Sequence, residues 1–246
     1  MSNNEIRTYR AWDRTTRLFH WINFICVLSL MCFGLILMND DALGLNSKSK
    51  ILIKSIHVYI GYVFVINLLW RLLWGFIGGR HARWRAILPF GKGYGQAVKQ
   101  YLDGFKKKDA PMYVGHNPLG KLMVAFLLIL LMSQAVTGLV VGGTDLYMPP
   151  FGGYFKQWVA GKNATPEKIN AIKPGSKDNV DPAARAEMRK FRKPFIEIHE
   201  LGFYLLLIAA FLHILAVVIT DIREKTGLVS AMIHGEKVSR KTPVDE

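Results

Sequence analysis

Residues 196–220 read IEIHELGFYLLLIAAFLHILAVVIT, a run of 25 positions whose only acids are Glu197 and Glu200 at its start. A helix turns about 100° and rises about 1.5 Å per residue. His199 and His213, fourteen positions apart, therefore lie within roughly 40° of each other on one helix face and about 21 Å apart along its axis. The run is long enough to cross a hydrocarbon layer about 30 Å thick. One helix face thus offers two strong metal ligands, one toward each side of a membrane, at a spacing that suits two stacked hemes.

Three more apolar runs of spanning length precede it, at residues 18–38, 51–77 and 119–141. Half of the 246 residues (51%) are hydrophobic. The first run is too long for a signal-peptide core and no small-residue cleavage site follows it, so it is expected to stay as a helix. These four runs predict an all-α membrane protein, a four-helix antiparallel bundle forming a single domain over residues 1–246. A long extramembrane connection, residues 142–194, separates the third and fourth helices. Cys26 and Cys32, six apart in the first run, face away from each other on a helix and are expected to be buried small hydrophobes rather than a disulfide or a metal pair.

The formal charge of +14 invites a nucleic-acid reading. The basic residues, however, lie between the apolar runs, where membrane topology accounts for them, so no nucleic-acid partner is expected. Seventeen Lys and Arg fall in the N-terminal segment, the second connection and the tail, against twelve in the first and third connections. That balance predicts both termini, including the tail 221–246, in the cytoplasm, with 142–194 on the opposite, periplasmic side. The basic group Arg189, Lys190, Arg192 and Lys193 beside the fourth helix runs against it. Within the connections, residues 94–105 form a candidate interfacial helix. Thr165-Pro166 and Asp181-Pro182 are helix-start signals that predict two short helices in the third connection.

Polar side chains at membrane depth are costly, so an intramembrane His is a functional-site candidate. His20 opens the first run, His57 lies near the start of the second, and His199 and His213 share the fourth. With the N-terminus inside, the first helix runs outward and the second and fourth run inward. Depth then pairs His57 with His199 and His20 with His213, each across two helices, as a bis-imidazole iron site requires. The second pair needs the first helix to begin well before Arg17 or the helices to tilt. Four histidines so spread cannot surround one tetrahedral zinc ion.

Arg71, fourteen residues after His57, and Arg17, one turn before His20, are candidate partners for heme propionates. Snorkelling to the interface is the competing reading of Arg71. Gly61 and Gly202 sit beside ligands, where they make room either for a flat macrocycle or for close helix packing. Ser133, Gln134 and Thr137 are the polar positions of the third helix, suited to hydrogen bonds across the bundle, with a quinone site as the other reading of Gln134. Glu200 reads as an interfacial charge. His81 and His234 read as solvated loop residues, and His116 as a capping or turn residue before the third helix.

Several of these residues fall in stretches that resemble the bacterial cytochrome b561 and nickel–iron hydrogenase b-type cytochrome family: WDRTTRLFHW at 12–21, HVYIGY at 57–62 with RLLWGF at 71–76, HNPLG at 116–120, His199-Glu200 and His213-Ile214. The resemblance implies a di-heme b-type cytochrome in the membrane, with His20, His57, His199 and His213 as axial ligands of two hemes b. It also implies electron transfer between the quinone pool and a periplasmic redox partner, a dehydrogenase or hydrogenase-type subunit or a cytochrome c. Lipid and quinone are then its other partners. A stand-alone oxidoreductase acting on a small molecule such as superoxide, with quinone as acceptor, is the alternative. A non-redox transporter is disfavoured by the lack of acids within the runs.

Overall fold

Each apolar run becomes one long helix in the computed structural model, which describes residues 5–246. In chain order the elements are strand β1 (Arg7–Arg10), α1 (Arg14–Met38), α2 (Ser47–Ile77), α3 (Trp84–Ile87), α4 (Tyr94–Lys106), α5 (Pro118–Asp145), α6 (Gly152–Ala160), α7 (Pro166–Ala171), α8 (Pro182–Glu224), α9 (Leu228–His234) and strand β2 (Glu236–Ser239). All four long helices open on a carboxylate or amide cap. Asp13 accepts from Thr16 N (2.7 Å), Asn46 from Ser49 N (2.9 Å), Asn117 from Gly120 N (2.7 Å) and Asp181 from Ala184 N (2.8 Å). Each satisfies one of the amides a helix start leaves unpaired and contributes about 1 kcal/mol. Asp13 fixes the start of α1 at Arg14, three residues before Arg17.

α1, α2, α5 and α8 are long and apolar enough to cross a membrane. Only 6% of the most apolar window of α1 is buried, and no more than 22% in the other three. Ile66 and Phe76 stay 68% and 72% exposed. Water tolerates no apolar surface on that scale, whereas hydrocarbon requires it. The chain is a multi-pass, predominantly helical membrane protein. Cys32, expected to be buried, instead lies exposed on this apolar surface, while Cys26 is buried; both are free thiols.

The chain groups into two compact units. The first comprises the residues up to Ile22, Asn67–Leu130 and Leu206–Glu246. Here β1 pairs antiparallel with β2, Arg7 opposite Ser239 and Arg10 opposite Glu236. Tyr9, Ala11, Trp12, Met112, Val114 and Ala231 form the core beneath it. α4 turns Tyr101 fully inward, where its hydroxyl donates to Glu224 Oε1 (2.6 Å) and accepts from Asn117 Nδ2 (2.7 Å). His81, expected to be solvated, is half-buried with Nδ1 3.7 Å from Asp245 Oδ2, and burial lowers its pKa.

Lys237 is 2% exposed, and its ammonium donates to the carbonyls of Tyr113 (3.1 Å) and Gly115 (2.8 Å). Burial lowers its pKa to about 8, against the upward pull of Asp245, Glu224 and Asp221. Between that value and the ordinary 10.5, the unfolded chain holds a proton that the folded chain has released. Stability contributed at this site therefore rises with pH across the window. Thermal unfolding in detergent at both ends of the window is expected to show wild type gaining on the order of 3 kcal/mol relative to Lys237→Met. Parallel pH profiles for the two proteins would contradict the assignment.

The second unit comprises Asn23–Ile66 and Leu131–Leu205. Val140, Phe155, Val159, Ala160, Ile172 and Met188 form its core. Asp145, at the end of α5, bonds Lys54 of α2 (2.5 Å) and Arg192 of α8 (2.8 Å). Thr165 caps α7 as expected, accepting from Lys168 N. The second start signal behaves differently, because Asp181-Pro182 opens α8 itself rather than a separate short helix. α8 runs 43 residues, with Pro194 inside it. The segment before that proline is held helical by Phe191, whose ring lies 5.8 Å from Phe155 and 5.5 Å from Trp158 of α6, and by the Arg192–Asp145 pair. α6 itself was not anticipated from sequence.

Candidate functional site

In the second unit, α2 and α8 bring His57 and His199 together with ring centres 6.3 Å apart and planes at 72°. A metal held between two imidazoles at about 2.0 Å per bond, with about 1.1 Å from each nitrogen to its ring centre, needs centres about 6.2 Å apart. The pair already stands at the spacing of a bis-imidazole iron.

Thr137 on α5 sets the state of one ring. Its hydroxyl donates to Ser133 O (2.7 Å), and its oxygen lies 2.9 Å from His199 Nδ1. A threonine hydroxyl has one proton, so with that proton directed to Ser133 the oxygen accepts from Nδ1–H, and the lone pair of His199 is left on Nε2. Gln134, one turn earlier, donates to His199 O (3.0 Å) and so ties the backbone of the same residue. Two of the three α5 side chains that the sequence marks as cross-bundle hydrogen-bonders thus converge on one histidine. His57 Nδ1 is buried without a partner, a cost for an imidazole nitrogen with nothing to bond.

Small residues flank the pair. A Cβ on Gly138 would stand 3.2 Å from His199 Cε1, and one on Gly34 would meet His57 Cε1 and Phe203 at 3.9 Å. A Cβ on Gly61 would meet nothing within 4 Å, so the space beside His57 is open, as a macrocycle requires. Gly202 differs, because its missing side chain makes way for the Gln134 amide. There the close-packing reading holds. Gly34 and Gly138 carry no sequence signal that separates them from ordinary membrane-helix glycines.

In the first unit, α1 brings His20 near His213 of α8, close enough for the two to interact electrostatically. His20 Nδ1 is buried and unpartnered. Arg71 is 5% exposed, with one guanidinium nitrogen donating to Ala82 O (3.1 Å) and Nη1 buried without a partner. Phe19 and Trp84 flank it at 5.8 and 5.6 Å. A snorkelling arginine keeps its head in water, which Arg71 does not. Arg17 donates to Ile233 O and leaves its Nε buried and unpartnered. Asn67, buried and not singled out in the sequence, donates to Phe19 O (3.1 Å), beside His20.

His116 does not cap α5, a task Asn117 performs. It packs its ring 4.7 Å from Trp12, with Nδ1 buried and unpartnered. Burial, then the positive charges of Lys237 and Arg71 and the neighbouring His213 and Lys121, drive its pKa down to about 3. The imidazole is therefore neutral across the physiological range. Among the described residues no three His, Cys, Asp or Glu side chains converge as a metal cluster. His57 and His199 face each other, and His20 and His213 interact electrostatically.

The sequence profile of the prokaryotic cytochrome b561 family matches residues 11–235, nearly the whole chain. The chain belongs to the prokaryotic cytochrome b561 family. Its curated relatives include a probable Ni/Fe-hydrogenase B-type cytochrome subunit of Rhizobium leguminosarum bv. viciae, 26% identical over 95% of this chain and 90% of the relative. Another, of Bradyrhizobium diazoefficiens, is 27% identical over 95% and 87%. A probable Ni/Fe-hydrogenase 1 B-type cytochrome subunit of Escherichia coli K12 is 26% identical over 56% and 61%. No solved structure matches the chain. A b-type cytochrome carries heme b, and a cytochrome b561 with open space beside His57 and orphaned imidazole nitrogens at two helix-borne pairs has residues that fit it.

Proposed function

We propose that the chain is a di-heme cytochrome b that carries electrons between quinone and a redox partner of the hydrogenase or dehydrogenase type. The observation that carries this reading is the 6.3 Å spacing of His57 and His199. Heme iron supplies one-electron transfer when bound. His57 and His199 ligate one heme, and His20 and His213 the other. Thr137 holds His199 in the tautomer that leaves Nε2 free, which also orients the ring. Arg71 and Arg17 would hold the propionates of the heme at the His20–His213 pair and offset their negative charge. Lipid would surround the exposed apolar faces of the four long helices.

The relatives' description as hydrogenase cytochrome subunits supports a hydrogenase-type partner. Pairing of β1 with β2 sets residues 7–10 beside 236–239, which supports both termini on one side, the cytoplasmic side by charge balance. The connection between α5 and α8, with α6 and α7, then faces the periplasm of a bacterial inner membrane and is the docking side for the partner. No observation favours the stand-alone superoxide reading, and in the basic group at 189–193, the one place that could steer an anion to the outer heme, Arg192 is paired with Asp145.

Reduced-minus-oxidised spectra of the purified protein, with pyridine hemochrome quantitation, test the reading. Two hemes b per chain are expected. Absence of a b-type band, or one heme per chain at saturation, sinks the di-heme proposal.

A further inference from the structure

The unspent polar groups of the first unit include three atoms that can only donate, on Arg17, Arg71 and Trp84. Arg71 Nη1, Arg17 Nε and His116 Nδ1 are each buried without a hydrogen-bond partner. Arg71, which shares no ion pair with any carboxylate among the described residues, acts on His116 as a positive neighbour, as do Lys237 and Lys121. The acid that acts on Arg71 electrostatically is Asp13, whose carboxylate is already taken by Thr16 N (2.7 Å), Trp74 Nε1 (3.1 Å) and Gly79 N (3.4 Å). Asp245, the acid nearest the loop that carries His116, accepts from Val114 N (2.7 Å) and Gly115 N (2.9 Å). A buried guanidinium nitrogen without an acceptor costs free energy until one arrives, and so does a buried imidazole nitrogen in the tautomer that protonates it. The neighbourhood that lacks it also contains His213, the proposed ligand of a heme whose rim carries carboxylates.

We infer that His116 is a positioning residue for that heme, its Nδ1–H donating to the propionate that Arg71 charge-balances. The inference rests on the di-heme reading and extends it to a residue in the loop before α5. Trp12 fixes the plane of the ring from one side, and Asn117, capping α5, fixes the backbone that presents it. A neutral imidazole suits the role, because it adds a directed donor without adding a further charge to a site that already holds Arg71 and Arg17. Hydrogen bonding to a propionate draws negative charge away from the iron. Its loss leaves that charge uncompensated in a low dielectric and favours the ferric state, so the reduction potential falls.

The test is a redox titration of purified holoprotein followed by difference spectra, with hemes counted as pyridine hemochrome. His116→Leu is expected to shift the ferric–ferrous equilibrium of one heme about tenfold toward ferric, about 59 mV for a one-electron couple, and to leave the other unmoved. His116→Asn, whose side-chain amide can stand where Nδ1–H stood, is expected to recover at least half of that shift. Loss of one heme from His116→Leu with retention in His116→Asn supports the inference equally. Unmoved potentials in His116→Leu, or equal damage in both variants, overturn it and leave His116 a packing residue under Trp12. A wild-type preparation with fewer than two hemes b fails the di-heme reading before any variant is compared, which keeps the two failures apart.

Discussion

His199→Ala is expected to leave one heme b per chain where the proposed di-heme wild type has two. The substitution removes the ring whose tautomer Thr137 fixes and whose centre stands 6.3 Å from His57. Without it, one axial position has no imidazole, and His57 faces a void lined by Gly34 and Gly138. No neighbouring side chain replaces the ligand, because the second unit's polar residues near it, Thr137 and Gln134, are committed to Ser133 O and to His199 O. Pyridine hemochrome and the amplitude of the b-type band should both fall by about half, with helical circular dichroism unchanged. The surviving heme should keep its potential, since His20 and His213 are untouched. Two hemes retained at full occupancy would refute the assignment of His199. Loss of both from a folded protein would show that the two sites do not load independently.

Much of this arrangement was legible in the sequence because membrane insertion enforces it. A run of apolar residues about 20 long has few fates, and a histidine inside one needs a reason. Hence the four helices and the four histidines follow from composition and period alone. What escaped the sequence depends on contacts between distant residues. β1 and β2 each read as four polar-rich residues near a terminus, and only their pairing across almost the full chain makes them strands. Pro194 looks like a helix boundary because proline removes a donor, yet Phe191 against α6 and Arg192 on Asp145 carry α8 through it.

The same division runs through the sites. His57 and His199 were legible as a pair from depth, whereas the choice of Nε2 on His199 depends on Thr137 and Ser133 in a third helix. Arg71 was balanced between two readings in the sequence, and its burial separates them. His116 was read as a local turn residue because the motif HNPLG precedes a helix. The local signal was real, but it belonged to Asn117. Its neighbour's orphaned nitrogen becomes visible only when Trp12, Arg71 and His213 are placed around it.

Pairing itself is decided by combining substitutions. Residues that serve one heme should fail as a unit, so removing the second after the first costs nothing further. The double variant His20→Ala with His213→Ala is therefore expected to retain one heme b per chain, the same as either single variant. His57→Ala with His213→Ala takes one ligand from each proposed pair and is expected to retain none. The contrast is a full heme, well beyond the error of hemochrome quantitation, and it does not depend on knowing the quinone or the partner. The structure also gives the reason for the expected sign. His20 and His213 lie in one compact unit and interact there, while His57 and His199 face each other in the second. Should the His20 and His213 double variant lose both hemes while the His57 and His213 double variant keeps one, the ligands pair the other way. His213 would then share its iron with His57, and Arg71 and His116 would have to be reassigned with it.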